Sequence, residues 1–252
     1  MAADIRVLGV DGIPEARAGD DSAQLVIDGL NHSGITLEDN DVVVVTHKLV
    51  SKAEDRLVDL RTITPSAFAE RLASQYEKDP RQIEVVLQQS TRIVKMDRGV
   101  IIAETPHGFI CANAAVDASN APESEHVVLL PLDPDATAQQ IRTRLQQESG
   151  KQIAVIITDS FGRPWRAGII NIAIGVAGMS PFHDYRGEYD EHGYELRATV
   201  IAAADELASA AELVMGKLDR RPVAVVRGYD YAHSDTASGR ELVMDPAKDL
   251  FR

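Results

Sequence analysis

The chain has 252 residues, enough for one large domain or two small ones. Its hydrophobic content of 44% is that of a globular protein, and an aromatic content of only 5% leaves the core to Val, Ile, Leu and Ala. A net charge of -13, from 39 acidic and 26 basic residues, argues against a general nucleic-acid binder. A nucleotide site stays open, because a metal ion and a few local Arg or Lys can reverse the field. In chain order, Ile5 to Val10 reads as a short strand ended by Asp11-Gly12-Ile13-Pro14-Glu15. Ser22 to His32 reads as a helix, with Leu25, Val26 and Leu30 on one face. Asp41 to Thr46 is a buried strand of consecutive valines, and Lys48 to Asp55 then turns polar. Ser66 to Tyr76 is an amphipathic helix capped by Ser66, and Pro80 to Ser90 is a second, shorter one. Arg92 to Met96, Val100 to Thr105 and Gly108 to Ala112 read as strands joined by tight turns. Asp117 to Glu125 is a polar loop, Val127 to Pro131 a strand, and Ala136 to Gly150 a helix ended by glycine. Ile153 to Ile157 is the central strand. Ile169 to Val176 is either a strand or a tightly packed helix. Thr199 to Met215 is an Ala-rich helix, Pro222 to Arg227 a buried strand, and Asp245 to Arg252 a surface segment. No repeat or low-complexity linker divides the chain, and the mixture predicts an α+β fold. A composition change near Ser180-Pro181 marks a lobe boundary within one domain, 1–252.

One cysteine, Cys111, excludes an intrachain disulfide framework and fits a reducing compartment; its apolar run makes it a small core residue. No signal peptide and no run of membrane-spanning length is visible, so a soluble cytoplasmic protein is expected.

The stretch Ile156-Ile-Thr-Asp-Ser-Phe-Gly-Arg-Pro-Trp-Arg166 concentrates chemistry. An apolar strand stops on Thr158-Asp159-Ser160, and a turn at Gly162 and Pro164 carries Arg163 and Arg166. Oxygen ligands suit a hard cation such as Mg²⁺ or Mn²⁺. Two guanidiniums suit phosphate or carboxylate. Asp159 alone reads as a capping residue; the whole set points to metal-assisted chemistry on an anion. Neither a Gly-x-x-x-x-Gly-Lys-Ser/Thr loop nor a Gly-x-Gly-x-x-Gly fingerprint is present. Four weaker features are compatible with a nucleotide. Gly12-Ile13-Pro14-Glu15 offers backbone N–H groups after a strand. Thr46-His47-Lys48-Leu49-Val50-Ser51-Lys52 resembles a phosphate-facing loop, with Lys52 either neutralising phosphate or solvated. Asp117 and Asn120 lie among small residues, as a second carboxylate or an ordinary Asx turn. Arg186, in His183-Asp-Tyr-Arg-Gly187, holds a substrate carboxylate or is solvated.

Val50-Ser-Lys-Ala-Glu54, Ile110-Cys-Ala-Asn-Ala-Ala-Val-Asp-Ala-Ser-Asn120, Thr158-Asp-Ser-Phe-Gly-Arg-Pro-Trp-Arg166, Asp184-Tyr-Arg-Gly187, Ala204-Asp-Glu-Leu-Ala208, Leu213-Val-Met-Gly-Lys217 and Val225-Val-Arg-Gly-Tyr229 occur in this order. The set closely resembles the coenzyme F420-0:gamma-glutamyl ligase family, from about Gly12 to Arg252. The resemblance implies a GTP-dependent enzyme that joins L-glutamate to coenzyme F420-0 and adds further γ-linked glutamates. It implies an acyl phosphate, Mg²⁺ or Mn²⁺, help from K⁺ in some members, and an α+β fold of two closely associated lobes in an intertwined homodimer. Carried over by position, Asp117, Asp159 and Ser160 match metal ligands. Gly12, Ile13, Pro14, Glu15, Thr46, His47, Lys52, Asn120 and the segment Met215, Gly216, Lys217 to Arg221 match nucleotide-contacting positions. Asp159, Arg163 and Arg166 are the expected catalytic set, and Arg186 a substrate binder. His47 stands where Ser is frequent. Lys217 stands where archaeal relatives place Gln or Glu as a metal contact, so one metal position is expected to be lost or altered. In some bacteria the ligase is fused to a flavin-binding domain. The rival readings are a related amide ligase on another carboxylate, a non-catalytic nucleotide-binding homologue, and a metal-dependent phosphatase.

Overall fold

A computed structural model describes residues 4–119 and 125–249. In chain order it contains β1 (Arg6–Val10), α1 (Ser22–His32), β2 (Val42–Thr46), α2 (His47–Ala53), β3 (Leu57–Asp59), α3 (Ala67–Tyr76), α4 (Pro80–Gln88), β4 (Arg92–Asp97), β5 (Val100–Glu104) and β6 (Ile110–Ala112). There follow β7 (His126–Val128), α5 (Pro134–Ser149), β8 (Ala154–Arg163), β9 (Arg166–Met179), β10 (His183–Asp184), β11 (Val200–Ile201), α6 (Ala203–Met215), β12 (Val223–Arg227) and β13 (His233–Ser234). Among the described residues no helix is long and apolar enough to cross a membrane.

The core is a six-stranded sheet in the order β1-β12-β2-β8-β9-β13. β2 and β8 run parallel, and the other neighbours are antiparallel. Alternation along each strand divides the sheet's two faces. Val43, Val45, Val155, Ile157, Val223 and Val225 meet α1 and α5 on one face. Val42, Val44, Ala154, Ile156, Ala224 and Val226 meet α6 on the other. The four valines Val42 to Val45 are fully buried, which is why that run is a central strand. Each such side chain contributes about 1.5–3 kcal/mol of burial. The helices begin and end on local chemistry. Asp21 caps α1 by accepting from the Ala23 and Gln24 N–H groups. Asp133 caps α5, Pro134 starts it, and Gly150 ends it in the left-handed region.

A second core is built from residues between β3 and the end of β7. Leu72, Ala73, Ile83 and Val86 of α3 and α4 pack with Ile101, Ala103 and Val127. Beside it lie the three-stranded sheet β4-β5-β6 and the pair β3-β7. Mixed sheets with flanking helices make this an α+β fold, as expected. Ser180 and Pro181 lie between β9 and β10.

Three local expectations need correction. The polar stretch after β2 is not a loop but the helix α2; His47, Ser51 and Lys52 are polar yet buried. The central strand does not stop at Ile157: β8 continues through Thr158, Asp159 and Ser160 to Arg163. Its partner β9 is a strand of 14 residues, which settles the alternative for Ile169 to Val176. The turn between them is Pro164-Trp165 alone, with Trp165 at φ 55°, as the third position of a type II turn requires. Gly162 is a strand residue. The Ala-rich helix also starts later than expected, at Ala203, because Val200–Ile201 pairs with His183–Asp184.

The β8–β9 ladder is irregular beside Asp159. Ile157 pairs with Gly175 but Thr158 with Ala173, so Ile174 is an extra residue on β9. Side chains hold this bulge. Asp205 accepts from the Ala173 N–H at 2.8 Å, and Asp135 from the Val176 N–H at 2.8 Å. A Cβ on Gly175 would lie 2.5 Å from the Pro134 carbonyl oxygen, so the start of α5 sits directly on the bulge.

Candidate functional site

The candidate site forms where the parallel strands β2 and β8 end side by side. Thr46 pairs with Thr158, and the chains diverge into α2 and into Asp159-Ser160. The Thr46 hydroxyl caps α2 by accepting from the Lys48 N–H. Consecutive residues of α2 then reach two carboxylates. His47 Nε2 lies 3.1 Å from Asp159 Oδ1, and Lys48 Nζ lies 2.6 Å from Asp117 Oδ2. The His47 side chain is 2% exposed and that of Asp159 13%. His47 Nδ1 is 3.2 Å from Ser51 Oγ, one turn along the same helix. The Nε2 approach to Asp159 lacks hydrogen-bond alignment.

Asp159 Oδ1 also accepts from the Ser160 N–H at 2.7 Å. Asp117 is held by Ser119, whose N–H donates to Oδ1 and whose hydroxyl donates to Oδ2, each at 2.7 Å. Burial pushes the Asp117 carboxyl up, but the Lys48 ammonium and the Ser119 bonds outweigh it and hold the group below the usual range. Near Asp159, burial first and then the carboxylate charge push the Cys111 thiol up to about 12. That thiol is protonated at neutral pH and belongs to the core, as expected.

Strand alternation sends Ser160 to the opposite face from Asp159. There its hydroxyl donates to Asn171 Oδ1 at 2.7 Å and accepts from Lys217 Nζ at 2.5 Å. Lys217 also reaches Asn171 Oδ1 at 3.4 Å and Glu212 at 3.8 Å. The expected metal set is therefore split. Asp117 and Asp159 are reached from one helix, whereas Ser160 faces an ammonium.

Of the expected nucleotide positions, Thr46, His47 and Lys52 lie on or at the start of α2, and Glu15 reaches Lys52. Lys52, buried on α2, is bonded to Glu15. Gly12 adopts φ 77°, and a Cβ there would lie 2.3 Å from the His32 ring, so only glycine fits. Ile13 is buried; Pro14 and Glu15 are exposed. Asp11 pairs with Arg221 at 2.6 Å, which brings Gly12 to Glu15 beside the segment that follows α6. Met215 is buried under the sheet and Gly216 ends α6 at φ 59°. Asn120 lies outside the described residues.

The arginines lie further off. Arg163 is four residues along β8 from Asp159, roughly 13 Å of strand. Its Nε is buried without a hydrogen-bond partner, while Nη2 donates to the Ala167 carbonyl at 3.4 Å. Arg166 is exposed across the hairpin turn. Arg186 is exposed and paired with Asp184 at 2.5 Å, which holds the Asp184 carboxyl down at about 2. Asn171 was not singled out by the sequence, and Lys48, Ser51 and Asp205 stood only within longer motifs, without a role of their own. The i, i+4 spacing of His47 and Ser51 was the available signal for the first turn of α2. Nothing local marks Lys48 as the partner of Asp117.

Among the described residues no group of three His, Cys, Asp or Glu side chains converges as a metal site. Carboxylate oxygens are nevertheless donors a Mg²⁺-like ion takes when phosphate oxygens and water complete its shell. Asp159 on β8 and Asp117, on its bridge to Val128, are of the residue type such an ion takes.

Residues 12–228 match the family model described as F420-0:Gamma-glutamyl ligase. The coenzyme F420:L-glutamate ligase of Methanothermobacter thermautotrophicus is 43% identical over 250 residues, covering 98% of this chain and 99% of that one. That of Methanopyrus kandleri is 42% identical, covering 94% of each chain. That of Haloarcula marismortui is 41% identical, covering 98% of this chain and 96% of its own. A family match over most of the chain, with relatives aligned almost end to end, makes this chain a member of the F420-0:gamma-glutamyl ligase family.

Proposed function

We propose that the protein joins L-glutamate to coenzyme F420-0 through an amide bond, driven by GTP, and adds further glutamates by γ linkage. The observation that carries this reading is the pair of carboxylates, Asp159 and Asp117, met by His47 and Lys48 at the ends of β2 and β8. It is the site a nucleotide-dependent carboxylate activation needs, in a chain whose relatives bear that activity in their names.

The chemistry follows from the leaving group. A carboxylate oxygen is a poor one. Transfer of the GTP γ-phosphoryl to the acceptor's terminal carboxylate gives an acyl phosphate and GDP. The glutamate amine then attacks the acyl carbon, the amine gives up a proton, and inorganic phosphate leaves as the amide forms. Asp117 and Asp159 would hold a Mg²⁺ or Mn²⁺ ion, which neutralises charge on the phosphoryl group in flight. Lys52, drawn from Glu15, and the backbone of Gly12 to Glu15 take phosphate charge; Thr46, Asn120 and Met215 to Lys217 complete the nucleotide contacts. Arg163, with its unpartnered Nε, binds an anion of the acceptor or of glutamate, and Arg166 and Arg186 do so from the surface. His47 is reassigned from nucleotide contact to positioning of Asp159, because its side chain is buried against that carboxylate. The reading includes one ligase domain and a homodimer. Exposed Trp165 and Ile169 on the hairpin, and Leu213 and Leu218 beyond it, support a partner surface.

The test is mass spectrometry of F420-0 incubated with the protein, L-glutamate, GTP and Mn²⁺. GTP-dependent increments of one or more glutamyl residues are expected. GTP consumption without an increment points to another acceptor or to a hydrolase. An unchanged mixture overturns the reading.

Lys217 makes a separate prediction. Its ammonium, on the Ser160 hydroxyl, places a cation where a second divalent ion would sit. With a non-hydrolysable GTP analogue, Mn²⁺ titration should give one ion per chain. Lys217→Gln should raise the count to two. A count of two in the parent protein contradicts this.

A further inference from the structure

We propose that Lys48 is a placeholder cation: it neutralises Asp117 in the unloaded enzyme and moves to a phosphate oxygen of the bound nucleotide when Asp117 takes its divalent ion. The proposal rests on the metal reading of Asp117 above. Both carboxylate oxygens of Asp117 are engaged. Oδ1 takes the Ser119 N–H, and Oδ2 takes both the Ser119 hydroxyl at 2.7 Å and Lys48 Nζ at 2.6 Å. Lys48 Nζ also donates to Ser119 Oγ at 2.7 Å and to its carbonyl at 3.3 Å, so the ammonium is enclosed by oxygens of one short segment.

Oδ1 keeps a lone pair open to an ion, which then sits close to each of these partners. The Ser119 N–H is fixed by the backbone turn, and the Ser119 hydroxyl is neutral. The ammonium alone repels an incoming cation, and in a partly buried site that repulsion is strong. It is also the partner on a flexible stem, with four methylenes between Cα and Nζ. Lys48 therefore yields. Its side chain is only 19% exposed, so its release is not into bulk water. Within the site the available counter-charge is the nucleotide's phosphate, and an ammonium is a point donor suited to it. The exchange keeps charge balanced in both states.

A competitor for the metal and a ligand for the nucleotide must act in opposite directions, and this separates the proposal from a structural brace. The experiment measures Mn²⁺ binding without nucleotide by electron paramagnetic resonance. It also measures binding of a non-hydrolysable GTP analogue in EDTA by calorimetry, using the parent, Lys48→Met, Lys48→Arg and Asp117→Asn. Lys48→Met should bind Mn²⁺ about threefold to fivefold more tightly, the scale of a partly exposed ion pair. It should bind the analogue about tenfold more weakly, the scale of a lost charged hydrogen bond. Lys48→Arg should keep Mn²⁺ affinity near the parent's. If Lys48→Met weakens both ligands, or changes neither, the proposal is overturned. If Asp117→Asn leaves Mn²⁺ affinity intact, the metal reading fails and the proposal with it. If Asp117→Asn loses Mn²⁺ while Lys48→Met gains nothing, the placeholder alone fails.

Discussion

Asp159→Asn protein is expected to fold as the parent does and to lose roughly 10³-fold in ligase turnover. The substitution keeps the shape of the side chain and removes its charge. Oδ1 can still accept from the Ser160 N–H, so β8 keeps its local bond. What disappears is half of the negative charge that would hold a divalent ion against the nucleotide. The site is nearly closed to water on the His47 side, where that side chain is 2% exposed, so solvent cannot replace the lost charge. The stability change should stay within about 1–2 kcal/mol, because the amide oxygen keeps the Ser160 N–H as its partner. GDP release and product mass measure turnover, and thermal unfolding checks the fold. Turnover within tenfold of the parent would remove Asp159 from the mechanism. A parent with no turnover at all would return the chain to the binding-homologue reading.

Gly175→Val should destabilise the central sheet by about 3 kcal/mol. A Cβ at that position would lie 2.5 Å from both the carbonyl carbon and oxygen of Pro134, which are backbone atoms and cannot swing away. Overpacking against backbone costs about 1–3 kcal/mol. Pushing α5 outward also endangers its cap at Asp133, worth about 1 kcal/mol. It strains Asp135 as well, which accepts from Val176 and Gly239 at 2.8 and 2.7 Å. For a chain of this size the loss corresponds to roughly 6–12 °C in Tm. Calorimetry that placed the variant within a degree or two of the parent would mean that α5 does not bear on the bulge as described.

The two predictions also mark where the sequence was legible. Buried strands such as Val42 to Val45 announce themselves, because both faces of the sheet are covered and apolar residues run without interruption. Asp159 and Ser160 were visible as chemistry but misplaced as a loop. A strand that leaves the covered region changes composition before it changes conformation. α2 was hidden for a related reason: His47, Ser51 and Lys52 are buried by polar partners, so no apolar stripe signals the helix. The Ile174 bulge and the pairing of Lys48 with Asp117 depend on contacts far apart in the chain, and no local pattern encodes them. The specific motifs identified the family despite this, since they mark the site and not the packing around it.

The order of the central sheet bears on how the protein is made. β1 pairs Arg6 with Arg227, and β2 finds its parallel partner only at Ala154. A ribosome adding 5–20 residues per second delivers β12 roughly 10–40 s after β1. Until Ala154 is made, about 6–22 s after Val42 at that rate, the valine strand β2 has neither neighbour in the sheet, and its β12 edge stays open until Val223 follows. The core between β3 and β7 is closed by contacts nearer in sequence and can form meanwhile. Yield in cells should therefore be governed by how long β2 waits, and a chaperone that shields it would raise yield without changing the melting temperature of the finished enzyme.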